Sequence, residues 1–345
     1  MLKKVLSPEE CKKLKHIFDE SRNVVITCHP GPDGDAIGSC LALYEYMVRR
    51  GKNAHVIVPN YFPDFLKWMH ESEKIIIFDR QRALSKTHFH LSDLILCLDY
   101  NGLSRIDDMA KPVQYSRATK VMIDHHGNPE KFCDLTICHP DMSSTCELLY
   151  RILVEIGEES KISRHIAEDI YAGMCTDTGR FTYNSNNPEI FMIISELMRK
   201  GIDKDIIIRN IYNQNSEGRY RLLGHILLNK LELYPDLHGS IFWVDREELK
   251  GFKYLKGDAE GFVNIPLEIK GMKVSISLRE DTEKDQIFVS VRSYDNFSAH
   301  DMCARFFNGG GHFNAAGGRL YCPMPEALAI ARQALESYRE ELSQN

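Results

Sequence analysis

A histidine and two aspartates share one seven-residue loop, His29-Pro-Gly-Pro-Asp33-Gly-Asp35. Further along, Asp124-His125-His126 follows the apolar run Val121-Met122-Ile123, and Asp99 and Asp177 each come just past a hydrophobic stretch. Carboxylate oxygens and imidazole nitrogens gathered at one point are what a two-metal hydrolytic site requires. Two divalent ions about 4 Å apart clamp a phosphoryl group and neutralise its charge under in-line attack. His29, Asp33, Asp35, Asp99, His125 and Asp177 would supply aspartates and histidines and no thiolate, a donor set that suits Mn²⁺, Mg²⁺ or Fe²⁺ better than structural zinc. Taken singly, an Asp-Gly-Asp is usually a turn and a His-His is usually surface or core filler. It is their joint occurrence at the ends of apolar runs, in this order, that points to metal.

The elements that must position these residues follow from the apolar pattern. Val24–Cys28, His55–Pro59, Lys74–Phe78, Leu94–Leu98 and Lys120–Ile123 read as strands. A helix from Ala36 to Arg50 stops at Gly51, Ser143-Ser144-Thr145 caps a helix running to about Ile156, and Arg164–Cys175 is helical. Strands separated by helices predict a parallel sheet with helices on both faces, and such sheets bind ligands outside the carboxyl ends of their strands. All six proposed ligands are placed at that edge. Gly31 and Gly34 allow unusual backbone angles that turn both loop aspartates toward one point, and the following helix offers its N-terminal dipole to anions. Beyond Gly239 the pattern changes: Ser240–Val244, Met272–Leu278 and Gln286–Arg292 are β-rich, and a last amphipathic helix covers about 325–343. The expected class is therefore α/β, with a metal-binding catalytic domain over 1–185, a helical linker over 186–235 and a smaller α/β substrate-binding domain over 236–345.

Composition narrows the ligand. The chain has 345 residues, 43% hydrophobic and 27% charged, which fits a globular protein large enough for two domains. No apolar run reaches the roughly 18 residues a membrane helix needs, and the N-terminus lacks the apolar core of a secretory signal. The ten cysteines form no C-x-x-C pair, so free thiols in a reducing cytoplasm are expected. A net charge of −6 disfavours wrapping long nucleic acid and favours a short ligand held by a few local cations.

These motifs resemble the DHH phosphoesterase superfamily, named for the triplet present here as Asp124-His125-His126. His29 through Ser39 is similar to its first motif, Leu98-Asp99 with Arg105 to the second, and Thr176-Asp177-Thr178-Gly179 to the fourth. The C-terminal half resembles the DHHA1 domain through Val289-Ser290-Val291-Arg292-Ser293, Gly309-Gly310-Gly311-His312 and Ala315-Ala316-Gly317. Asp258 to Asn264 also fits. Nearly the whole chain is covered, and the resemblance is to the NrnA-type oligoribonuclease and 3′-phosphoadenosine 5′-phosphate phosphatase group. One departure is Phe306-Phe307-Asn308 before the three glycines, where many relatives have another glycine. It could reshape the base pocket.

The resemblance implies that His29, Asp33 and Asp99 hold one ion, Mn²⁺ foremost, and that Asp35, Asp99, His125 and Asp177 hold the other, with Asp99 bridging. His126 would touch the scissile phosphate or pass a proton to the leaving oxygen, and Asp124 would orient its neighbours. In the second domain, consecutive glycines bring backbone N–H groups close to a phosphate or base, Arg292 can clamp a terminal phosphate, and His312 can stack on a base. Ser290 lies on the same strand, and Arg279 and Arg219 are weaker candidates. Held this way at a fixed distance from the metals, substrates of roughly two to five nucleotides are favoured, and the linker suggests hinge closure around them. Among other functions, a linear or cyclic dinucleotide phosphodiesterase fits the same metal site, although its membrane-bound form would carry transmembrane and sensory segments. An inorganic pyrophosphatase would need a Ser-Arg-Lys-Lys-Gln type string that is absent. A RecJ-like long-strand exonuclease would be larger. A non-catalytic nucleotide-binding module would have lost a ligand, and all six are present. A homodimer is compatible with the sequence, which singles out no face for it.

Overall fold

The computed structural model describes residues 2–255 and 257–343. The chain forms two compact units, one ending at Gln214 and the other beginning at Asn215. In the first, the order is α1 (Pro8–Glu20), β1 (Asn23–Thr27), α2 (Gly34–Arg49), β2 (Asn53–Val58), β3 (Ile76–Ile77), α3 (Arg82–Leu91), β4 (Leu94–Leu98), α4 (Ala110–Tyr115), β5 (Thr119–Asp124) and β6 (Leu135–Cys138). Helices α5 (Thr145–Glu155), α6 (Arg164–Asp177), α7 (Pro188–Arg199) and α8 (Lys204–Tyr212) complete it. The six strands lie in the order β3-β2-β1-β4-β5-β6, all parallel. Every residue of β4, Leu-Ile-Leu-Cys-Leu, is buried. That run is apolar throughout because both faces are covered: Leu94, Leu96 and Leu98 face a core with α2, α5 and α6, while Ile95 and Cys97 face a second core with Phe89 and Val113. Connections run outward in opposite directions from β1 and β4, so a crevice opens past the carboxyl ends of these neighbours.

The second unit contains α9 (Glu217–Asn229), β7 (Leu231–Tyr234), β8 (Gly239–Val244), α10 (Arg246–Gly251), β9 (Val274–Glu280), β10 (Ile287–Ser293), α11 (Ala299–Phe306), β11 (Gly310–Gly311), β12 (Ala315–Leu320), α12 (Met324–Ser337) and α13 (Arg339–Ser343). Its mixed sheet runs β11-β12-β10-β9-β8-β7, with only β8–β9 parallel. Along β10, Ile287, Val289 and Val291 are buried while Phe288, Ser290 and Arg292 on the opposite side are half-buried.

The stretch 186–235 is helical for most of its length and divides between the units. Ile190, Ile193, Leu197, Ile207 and Ile211 of α7 and α8 join the core of the first unit that holds α2, α5 and α6, whereas Leu222 and Ile226 of α9 pack with Phe242 and Phe262 in the second unit. Strand β3 is shorter than its apolar run because Ser72–Lys74 form a 3-10 turn that Ile75 closes; β3 pairs with β2 through Ile57–Ile76 and Val58–Ile77, and the Phe78 N–H continues to the Val58 carbonyl. The last helix is interrupted at Tyr338, which closes α12. Among the described residues no helix is long and apolar enough to cross a membrane.

Candidate metal centre

Asp33 caps α2, and its Oδ1 accepts the N–H groups of Asp35 and Ala36, each at 3.0 Å. Its Oδ2 faces His29 Nε2 at 3.9 Å. Gly31, at φ +62, makes the turn that leads into this cap, and its N–H donates to Asn60. Gly34 has no such backbone need. A Cβ there would lie 2.4–2.8 Å from Thr176 on α6, so this glycine serves close packing rather than loop conformation. Asp99 follows β4 with φ +60, a left-handed angle that aspartate tolerates better than most residues.

Both ligand-type histidines are aimed the same way. His29 Nδ1 lies 2.9 Å from the Pro30 carbonyl and His125 Nδ1 lies 3.3 Å from that of Met142, which leaves each Nε2 pointing inward. His29 Nε2 is 3.3 Å from Asp99 Oδ2, and His125 Nε2 is 3.6 Å from Asp99 Oδ1 and 3.4 Å from Asp177 Oδ2. An imidazole fixed through one nitrogen and offered through the other is the usual arrangement of a metal ligand. Three overlapping groups have ligand atoms within 4.8 Å of one another: His29, Asp33 and Asp99; Asp35, His125 and Asp177; and Asp99, His125 and His126. All six sequence-predicted ligands meet here. Asp177 arrives from the end of helix α6 rather than from a strand.

His126 and Asp124 sit beside this cluster. His126 Nδ1 is 2.8 Å from Asp124 Oδ1, and Asp124 is fully buried with Oδ2 lacking a hydrogen-bond partner among the described residues. The hydrogen bond to Asp124 raises the His126 pKa. Residues not singled out by spacing also matter. Asp35 is gripped by the start of α5, with Oδ2 accepting Thr145 N–H at 2.7 Å and Oδ1 accepting Cys146 N–H at 2.9 Å; the Thr145 hydroxyl donates to Asp99 Oδ1 at 3.0 Å. The sequence signal was the Ser144 cap, which marked a helix start without indicating its target.

The donor chemistry fits a divalent cation. Burial and the Asp35 and Asp99 carboxylates push Asp177 up to about 9, and burial with Asp99 pushes Asp35 up to about 7. Burial opposes charge on His29, but the Asp99 carboxylate overrides it and lifts His29 to about 11. With no cation to neutralise them, these groups hold protons that an unfolded chain releases above about pH 4 for carboxyls and about 6.5 for histidine. A folded state that binds more protons loses stability as pH rises. Asp99 shifts downward, so its contribution is complete above the ordinary carboxylate range and leaves this window unchanged. The unfolding temperature in chelator is therefore expected to fall between about pH 5.5 and about pH 8.5, and stabilisation by added Mn²⁺ to grow over the same range. Scanning calorimetry checks this; a metal-induced rise that shrinks with pH would contradict it.

The second unit carries the other predicted residues. Gly309 lies so close to β12 that a Cβ would stand 1.9 Å from the Gly317 carbonyl oxygen, and Gly311 has φ +148. Gly310 and Gly311 pair with Gly317 and Ala316. The exposed His312 donates its N–H to the Ala315 carbonyl at 2.8 Å, closing the turn. His300 Nδ1 lies 2.7 Å from the Gly311 carbonyl oxygen, a contact the sequence did not reveal. Ser290 and Arg292 share the half-buried side of β10, and Arg292 Nη1 donates to the Val291 carbonyl at 3.0 Å. Arg219 is tied to the Asp258 and Glu260 carbonyls, a structural role. All ten cysteines are free, and Cys28, Cys97 and Cys175 are buried.

The family model for the N-terminal domain of the DHH family matches residues 23–174, and the DHHA1 domain model matches residues 246–341. The crystal structure of an exopolyphosphatase-related protein from Bacteroides fragilis is 49% identical, superposes with a TM-score of 0.97, and covers 99% of this chain and 100% of its own. The chain belongs to the DHH family. As a DHH phosphoesterase it is a hydrolase of phosphoric esters. The bifunctional oligoribonuclease and PAP phosphatase NrnA of Thermus thermophilus is 27% identical over 321 residues, covering 93% of this chain and 90% of that protein. Its Bacillus subtilis counterpart is 27% identical over 299 residues, covering 86% and 89%.

Proposed function

We propose that this protein hydrolyses short oligoribonucleotides to mononucleotides and 3′-phosphoadenosine 5′-phosphate to AMP, using two divalent ions. The observation that carries the reading is the overlap of the three ligand groups at Asp99 and His125. The NrnA relatives, aligned along most of both chains, support the substrate class. His29, Asp33 and Asp99 would hold one ion and Asp35, Asp99, His125 and Asp177 the other, Mn²⁺ foremost. Bound there, the ions supply charge neutralisation at the phosphoryl group and a more acidic water. The chain's own residues do the rest. His126, whose pKa the Asp124 hydrogen bond raises, protonates the leaving oxygen as its P–O bond breaks, and Asp124 positions it. The α5 N-terminus holds Asp35 in place. Arg292, Ser290, Gly309, Gly310, Gly311 and His312 hold the nucleotide. The net charge of −6 fits a short substrate better than a long strand.

A turnover assay with Mn²⁺ tests this, comparing 5′-phosphorylated di-adenylate, 3′-phosphoadenosine 5′-phosphate and pyrophosphate. AMP release from the first two, abolished by chelator, is expected. Hydrolysis of pyrophosphate alone would refute the nucleotide reading, and no turnover of any would revive the binding-module alternative.

A further inference from the structure

Two arginines of the second unit lie over one aromatic ring. Antiparallel register sets Phe288 of β10 opposite Arg279 of β9 on one side and Arg319 of β12 on the other. Directly opposed residues share a sheet face, and the guanidinium carbons lie 4.7 Å (Arg279) and 5.6 Å (Arg319) from the Phe288 ring centroid. Arg279 is also 5.4 Å from the centroid of Tyr254. Among the described residues neither arginine has a carboxylate at ion-pair distance. The nearby acids hydrogen-bond to other groups: Asp281 accepts from the Glu283 and Lys284 N–H groups and the Gln286 amide, with the Arg279 charge acting on it only from beyond ion-pair distance, and Glu280 accepts from the Arg246 N–H. Several other arginines of this unit are ion-paired, Arg332 with Glu232, Arg339 with Glu336 and Arg246 with Asp285, while Arg305 lies over the Phe306 and Tyr338 rings. A shared ring attracts each guanidinium but does not cancel the repulsion between them. A phosphate would, and it suits the guanidinium fork.

The pair is continuous with the surface already assigned to substrate. Phe288 is on the same side of β10 as Ser290 and Arg292, four residues or about 13 Å from Arg292. Arg319 is fastened to the glycine-rich loop: its N–H donates to the Phe307 carbonyl at 2.7 Å, and the Asn308 amide donates to the Arg319 carbonyl at 3.2 Å.

We infer that Arg279 and Arg319, spaced by Phe288, form a second phosphate subsite that takes a phosphodiester of substrates longer than a dinucleotide. This rests on the proposed function. It makes chain length, rather than base identity, the property that the β10 surface reads, since a guanidinium pair carries no base-specific pattern.

The test compares wild type with Arg279→Gln/Arg319→Gln on 5′-phosphorylated penta-adenylate and on 3′-phosphoadenosine 5′-phosphate. The variant should raise KM for the pentanucleotide at least about tenfold with kcat unchanged, and leave KM for the short substrate unaltered. The slope of log KM against log salt for the pentanucleotide should fall by about 0.7, the contribution of the one phosphate the pair takes. Arg279→Lys/Arg319→Lys should restore that slope, which a merely structural role would not do. If the double variant unfolds, Arg319→Gln at its exposed position carries the same comparison. Equal KM changes for both substrates, or none, would overturn the subsite. Competition by inorganic tripolyphosphate that disappears in the variant, with pentanucleotide KM unchanged, would assign the pair to free polyphosphate and overturn it likewise. Wild-type protein that turns over neither nucleotide would instead overturn the proposed function.

Discussion

Asp99→Asn is expected to lower turnover by upwards of about a thousandfold, the scale of losing one preorganised electrostatic contact at the reacting centre. Asp99 is 3% exposed, and its two oxygens face different histidines, Oδ2 toward His29 and Oδ1 toward His125. It is therefore the residue whose charge both ion positions would share, and the amide removes that charge while keeping the shape. Asparagine is the cleaner substitution for a further reason. The backbone at residue 99 is left-handed, which costs alanine about 1–2 kcal/mol and asparagine much less. An amide oxygen can still accept the Thr145 hydroxyl. Loss of activity should thus come with an unfolding temperature in chelator close to wild type and with loss of the Mn²⁺-induced rise. A variant that keeps near-full turnover would remove Asp99 from its bridging role. One that unfolds in chelator would show that the residue holds the fold rather than the ions.

The Asp99 backbone also marks where sequence stops being informative. Apolar runs and their terminal histidines and aspartates located β1, β4 and β5 and hence the edge where ligands gather, because a strand buried on both faces has a nearly continuous apolar signature. Small strands escaped. Leu135–Cys138 is four residues long, and Ala315-Ala-Gly-Gly-Arg-Leu320 has no β-branched residue. Its composition answers to its neighbours, since a Cβ on Gly318 would stand 2.1 Å from the Phe307 carbonyl oxygen and one on Gly317 3.1 Å from that of Val289, and that tertiary demand overrides strand propensity. The contribution of Thr145 and Cys146 was equally hidden. Their sequence shows a helix start, while their function depends on Asp35, 110 and 111 residues earlier in the chain, lying within reach of their N–H groups. Asp177 was legible as the residue just past the helical run Arg164–Cys175, but the sequence grouped it with the strand ends, whereas the structure places it on the last turn of α6.

The packing of α2 against α6 leads to the second large effect, Gly173→Ala. A Cβ on Gly173 would stand 2.2 Å from Cys146 Sγ and 2.9 Å from Asp35 Oδ1. Gly38, on the facing helix, is as tightly enclosed, with a Cβ 2.6 Å from the Asp169 carbonyl oxygen. These glycines let the backbones of α2 and α6 approach closely enough for Asp35 and Asp177 to share one cluster. A single methyl at 173 is expected to destabilise by about 1–3 kcal/mol through overpacking, and to cost about a hundredfold in turnover because it presses on a ligand whose position matters to within about 1 Å. The two consequences can be separated. Adding Cys146→Ala removes the sulfur and should recover part of the stability, yet Asp35 remains displaced, so turnover should stay low. Gly224 of α9 is the control: nothing lies within 4 Å of its would-be Cβ, so Gly224→Ala should stabilise by about 0.5–1 kcal/mol through helix propensity and leave turnover unchanged. If Gly173→Ala loses stability while retaining full turnover, the metal cluster tolerates movement of Asp35, and close approach of α2 and α6 serves the core alone.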